Sequence, residues 1–146
     1  MEANIFRAVR AMIPSVRQVR VPNPFTCFVS IEQRVPGQAK NAVLAVLGSD
    51  LYMKRVVVVD HDVDIFNERE VNWAIATRCQ PDRDITIISN ARGSDLDPST
   101  AGNDGFTAKW GVDATAKPSL EAYTPRHSFP PEVWDAIDLK SILPDS

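Results

Sequence analysis

Hydrophobic and polar positions along the chain alternate between two periods, and the change of period marks the elements. Residues 3–12 place Ile5, Val9 and Met12 at helical spacing, and Pro14 stops that pattern. The stretch "VRQVRV" (16–21) reads as a short strand ending at Pro22 and Pro24. "FTCFVSIE" follows with Phe25, Cys27, Val29 and Ile31 on one face, and Phe28 breaks the polar alternation on the other. Residues 37–47 read as a helix, with Ala39, Ala42, Val43, Val46 and Leu47 as its apolar stripe and Gly48 as its C-cap. "RVVVVD" (55–60) is an uninterrupted β-branched run, which predicts a central strand buried on both faces, and "ITII" (85–88) is a second run of that kind. Helices set between continuously apolar strands predict an α/β domain with a short mixed or mostly parallel sheet flanked by helices.

From Ser89 to Pro130 no period persists, which predicts a long irregular arm. Pro130-Pro131-Glu132 then reads as a helix start, with Val133, Trp134 and Ile137 as its stripe. The expected organisation is one domain over 1–146, with a core at 14–117 and an arm and terminal helix at 118–146. The length of 146 residues is enough for a sizeable core.

A net charge of -3 argues against nucleic-acid binding, and Arg7, Arg10, Arg17 and Arg20 read as a solvated face. No apolar run approaches the roughly 20 residues needed to span a bilayer. Scattered arginines in residues 1–21 do not fit a signal peptide. Cys27 and Cys79 sit in apolar segments and read as buried free thiols, so a soluble, cytoplasmic protein is expected.

The segment "VVVVDHDVDIFNEREVNWAIATRC" (56–79) carries the candidate chemistry. Asp60, Asp62 and Asp64 alternate at the carboxyl end of a central strand, where open α/β sheets bind ligands. They could converge on a hard divalent cation. Alternatively they shape the turn, accepting backbone N–H bonds and pairing with Arg. The glycine and terminal glutamate of an EF-hand-type loop are missing, and His61 has no second His at zinc spacing. Asn67 with Glu70 reads as a capping-box variant that starts a helix, with Phe66 and Val71 as its staple. The chain has no GxSxG, P-loop, GxGxxG or CxxC motif. "ARGSDLDPS" (91–99) could hold an anion through Arg92, but it reads first as a plain surface loop, and Trp73 and Trp110 read as packing anchors.

Three segments, "KRVVVVDHDVDIFNEREVNWAIATRCQPDRDITI", "GSDLDPS" and "AKWGVDATAK", together resemble the C-terminal domain of the UbiD-type decarboxylases, which use prenylated FMN. The shared motifs are D-x-D-V-D, W-A-x-x-T-R, P-x-R-D, L-D-P-S and K-M-G-x-D-A-T, in order across residues 16–117, with Trp110 where the family usually has Met. The upstream "IPSVRQVRVPNPFTCFVSIEQRVPGQAKNAVLAVL" is similar as well.

The resemblance implies that the prenylated-FMN site, its divalent metal and K⁺, and the Glu-Arg-Glu catalytic set lie in upstream domains. No catalytic residue carries over to this sequence. Because Met1 opens the chain just before the C-terminal domain, the expectation is a small, non-catalytic subunit of a heteromeric (de)carboxylase acting on an aromatic or unsaturated acid. Its partners would be a large UbiD-type catalytic subunit and other copies of itself. Thr77, Arg78, Val112 and Ala114 are the residues expected nearest the substrate. The alternative is a free-standing α/β module that binds a small anion or a divalent cation at Asp60, Asp62 and Asp64.

Overall fold

The structure, a computed structural model, describes residues 1–100, 102, 104–117, 130, 132, 133 and 136. Among residues 1–117 that are described, four α-helices and five strands follow one another as α1 (Glu2–Met12), β1 (Val16–Asn23), β2 (Thr26–Ile31), α2 (Gln38–Ser49), β3 (Arg55–Asp60), α3 (Glu68–Arg78), α4 (Pro81–Asp84), β4 (Ile85–Arg92) and β5 (Phe106–Ala114). The strands form one sheet in the order β1-β2-β3-β5-β4. β2, β3 and β5 run parallel, and β1 and β4 are antiparallel at the two edges. This is the expected α/β domain, with a mixed sheet flanked by helices.

The valine run is central because each of its faces meets a different helix layer. Val56 and Val58 pack with Ile5, Val9, Val43 and Val46 of α1 and α2, whereas Val57 and Val59 pack with Val71 and Ala74 of α3. No position between Val56 and Val59 touches water, so none has to be polar. Cys27 lies in the first cluster and Cys79 in the second; both are free and buried. Burial pushes the Cys27 thiol up to about 12.

Four sequence expectations need correction. Met12 is 59% exposed, and Ile13, just past the end of α1, fills the core instead. Gly48 does not cap α2, which continues to Ser49 and ends at an extended Asp50. A buried lysine ends it: Lys109 Nζ donates to the carbonyls of Leu47, Asp50 and Leu51 at 3.2, 3.3 and 3.2 Å, so no left-handed glycine is required. "ITII" belongs to an edge strand, where one flank lacks a neighbour, and Ile87 is 67% exposed.

The largest correction concerns the supposed irregular stretch. β4 runs on to Arg92, and Phe106–Ala114 forms a strand in the interior of the sheet. Lys109 and Gly111 conceal that strand in the sequence. Lys109 is buried through its carbonyl partners, and a Cβ at Gly111 would lie 2.6 Å from Val43 Cγ2, so only glycine lets α2 sit this close. At the predicted C-terminal helix, Glu132 and Val133 are helical, while Trp134 and Ile137 lie outside the described residues.

Candidate functional site

β3 and β5 end side by side, with Val59 opposite Ala114, which brings Asp60 to the chain leaving β5. The Asp60 carboxylate accepts the Ala116 N–H at 2.5 Å and Arg78 Nη1 at 3.2 Å. Asp62 receives two more bonds from the same guanidinium, Nη1 at 2.8 Å and Nη2 at 2.5 Å. Arg78 therefore bridges two of the three alternate aspartates from the last turn of α3, and its side chain is only 2% exposed. The Trp73 ring, one turn earlier, backs it at 5.0 Å.

Asp64 plays another part. It accepts the Phe66 N–H at 2.9 Å in a tight side-chain turn, and Glu70 reaches back to the Asp64 N–H at 3.0 Å. Asn67 caps α3 by accepting from Arg69 N–H at 3.1 Å. The capping device thus forms, shifted so that Glu70 answers Asp64. Phe66 is exposed with the Arg20 guanidinium over its ring at 5.5 Å, and Ile65 takes the buried place beside it.

Beyond β5 a second group of charges closes the same sheet end. Asp113 accepts Thr115 N–H at 3.0 Å, Thr115 Oγ1 at 2.5 Å and Lys117 Nζ at 2.9 Å. Lys117 also faces Asp84 at 3.5 Å, and Thr115 Oγ1 lies 3.0 Å from Gln33 Oε1, just past β2. The ends of β2, β3 and β5 and the caps of α3 and α4 are joined in one polar layer. Asp84, Asp113 and Thr115 fall within the P-x-R-D and K-M-G-x-D-A-T motifs, but the sequence alone assigns neither them nor Lys117 and Gln33 a place at this site. The signal was present in "GVDATAK", whose polar members alternate with the apolar ones that drew attention.

The two aspartates on Arg78 respond to it differently. The Arg78 hydrogen bonds hold the Asp62 carboxyl below the usual carboxylate range. Burial pushes Asp60 upward, against the Ala116 N–H bond and the Arg78 charge. Among the described residues no group of three His, Cys, Asp or Glu side chains could hold a metal ion. The buried cations at this sheet end are engaged by the chain's own carboxylates. That donor set does not fit a divalent-metal or flavin-phosphate cradle, and no chemical step is assigned to it.

The four residues expected nearest the substrate separate into two places. Thr77 is exposed at the end of α3, its hydroxyl donating to the Trp73 carbonyl at 2.9 Å, next to the buried Arg78. Val112 and Ala114 are core residues packed under α3. Across the sheet, the "GSDLDPS" loop is held by Lys54 to Asp97 at 2.6 Å, and Arg92 spends its guanidinium on the Asp104 carbonyl at 2.9 Å.

The chain as a whole is similar to known proteins. A family model described as the 3-octaprenyl-4-hydroxybenzoate carboxy-lyase C-terminal domain matches residues 1–114. The chain belongs to this UbiD family. The anhydromevalonate phosphate decarboxylase of Methanocaldococcus jannaschii is 46% identical over 118 residues, covering 78% of this chain and 28% of the relative. The UbiD-class enzyme HmfF from Pelotomaculum thermopropionicum, solved in complex with FMN, superposes with a TM-score of 0.83 at 39% identity, over 97% of this chain and 32% of that one. The apo 3,4-dihydroxybenzoic acid decarboxylase of Klebsiella pneumoniae gives 0.79 at 32% identity, over 88% and 30%. The chain therefore spans only 28 to 32% of the length of these UbiD-family proteins. Among the described residues no helix is long and apolar enough to cross a membrane.

Proposed function

We propose that this chain is the small, non-catalytic subunit of a heteromeric, prenylated-FMN-dependent (de)carboxylase acting on an aromatic or unsaturated carboxylic acid in the cytoplasm. The observation that carries this reading is the self-paired sheet end. The UbiD motif residues Asp60, Asp62, Arg78 and Asp113 spend their charges on one another, on Lys117 Nζ and on the N–H groups of Thr115 and Ala116, which makes a rigid wall rather than a set of reacting groups. Flavin, divalent metal and K⁺ stay with the larger subunit, where the flavin supplies the electron sink for loss of CO₂. Two free, buried thiols suit a reducing compartment.

On this reading the sheet end is a lid. α3 is fixed at its start by Asn67 and at its end by Arg78, so the exposed Thr77 is presented from a rigid helix. Thr77 and Arg78 then stand nearest the acid, with Val112 and Ala114 holding α3 against the sheet. Closure of such a wall over the flavin side excludes water and orients the acid. Association between copies of the chain in the assembly is part of the same proposal.

Co-expression with a chain bearing the flavin domains tests it. The two should co-purify, and the pair should release CO₂ from an aromatic or unsaturated acid faster than the large chain alone. Full activity from the large chain alone, with no co-purification, overturns the proposal.

A further inference from the structure

One row of the sheet is left uncovered by the helices. Phe28, Val57, Val112 and Ile85 form a cross-strand row beneath α3, and the next row toward the start of β3 on the same face is Thr26, Arg55, Trp110 and Ile87. Among the described residues no helix packs over its outer half. Trp110 is partly buried, Ile87 is 67% exposed, and Phe106 farther along β5 is 51% exposed. Arg55 lies over the Trp110 ring at 5.8 Å. Its Nε is buried without a hydrogen-bond partner, and no carboxylate among the described residues lies within ion-pair distance. Every charged group of the polar layer at the opposite end of β3 is answered; this one is not.

We infer that the Arg55–Trp110–Ile87 row is the docking face for the flavin-bearing subunit, and that the element seated there brings apolar side chains around a carboxylate that pairs with Arg55. The inference rests on the subunit reading above. A cation stacked on an indole, with exposed Ile87 next in the row, complements an anion beside apolar side chains, and a half-buried guanidinium gains most from a bidentate carboxylate. A second copy of this chain fits less well, because a symmetric contact centred on the row sets Arg55 against Arg55. Strand addition at the adjacent edge is also disfavoured. β4 breaks register between Ile88 and Ala91, with Asn90 at φ 55°, and such a bulge turns an edge away from pairing.

The test measures affinity between the full chain and the co-expressed flavin-bearing subunit. Ile87→Glu and Arg55→Glu should each weaken the complex about tenfold or more, with circular dichroism unchanged. Leu44→Glu, on exposed α2 across the sheet, should leave it unchanged. Added salt should weaken the wild-type complex more than that of Arg55→Gln. If the wild type binds and both row variants bind equally well, this inference fails while the subunit reading stands. If the wild type does not bind, both fall. Variants that alter only self-association assign the row to a second copy, and effects that vanish when residues 118–146 are removed assign it to the chain's own tail; either result overturns the inference.

Discussion

The two ends of the β3–β5 pair handle charge in opposite ways. Where the strands finish, Arg78 and Lys117 each meet two carboxylates, and Asp60 and Asp113 also take backbone or side-chain donors. Where β3 begins, Arg55 has an aromatic ring and, among the described residues, no acid. The difference separates two uses of a cation: Arg78 locks the fold of this chain, and Arg55 is the group we propose for the docking face. A buried polar atom without a partner costs stability, and the carboxylate proposed above would relieve that cost at Arg55 Nε.

The largest expected effect comes from unlocking the closed end. Arg78→Ala leaves Asp60 half-buried without its cation and removes both bonds to Asp62, and should cost about 3 kcal/mol or more in urea unfolding. Arg55→Ala at the open end should cost the isolated chain far less. An equal cost would erase the distinction between the ends. Next in size is Gly111→Ala, which pushes a methyl into Val43 and should destabilise by about 1–3 kcal/mol, read in the same experiment.

A smaller effect is expected with pH. Asp62 titrates lower in the folded chain than in the unfolded one, so the unfolded state binds more protons just below the ordinary carboxylate value of about 3.9. Stability should fall as pH drops through that range. Asp60 is shifted upward and acts with the opposite sign above about 3.9, where the folded state binds the extra proton and stability declines as pH rises through its window. Melting temperature followed from pH 2 to 7 should therefore fall less steeply on the acid side in Asp62→Asn and flatten above it in Asp60→Asn, with Glu32 and Asp97 keeping part of the acid-side fall. The smallest effect is chemical: Cys27, with its thiol held near 12, should resist alkylation at pH 8 until the chain unfolds, whereas labelling in the folded state would show an opening of the α1–α2 face.

How much of this was legible in the sequence depended on whether one residue's environment could be inferred from its neighbours. The valine run announced its own position because two covered faces leave no polar site. The turn after it was legible through Asn67, Glu70 and the aspartates, whose local bonds are short-range. β5 was not, because Lys109 and Gly111 owe their places to α2, about 60 residues earlier in the chain, and no local pattern records that debt. Gly48 misled for the same reason, since the carbonyls it was expected to help satisfy are taken by Lys109. The roles of Asp113 and Lys117 likewise follow from the parallel pairing of β5 with β3, which only the fold supplies.

The strand order has a consequence during synthesis. Among the described residues β4 pairs only with β5, and β5 is the last of the five strands to leave the ribosome, yet it inserts between two strands already made. Until Ala114 has emerged, β3 presents a bare valine edge and β4 has nothing to hold. The nascent sheet stays open over its most aggregation-prone segment, and a chain truncated before Phe106 would be a sticky fragment rather than a smaller domain.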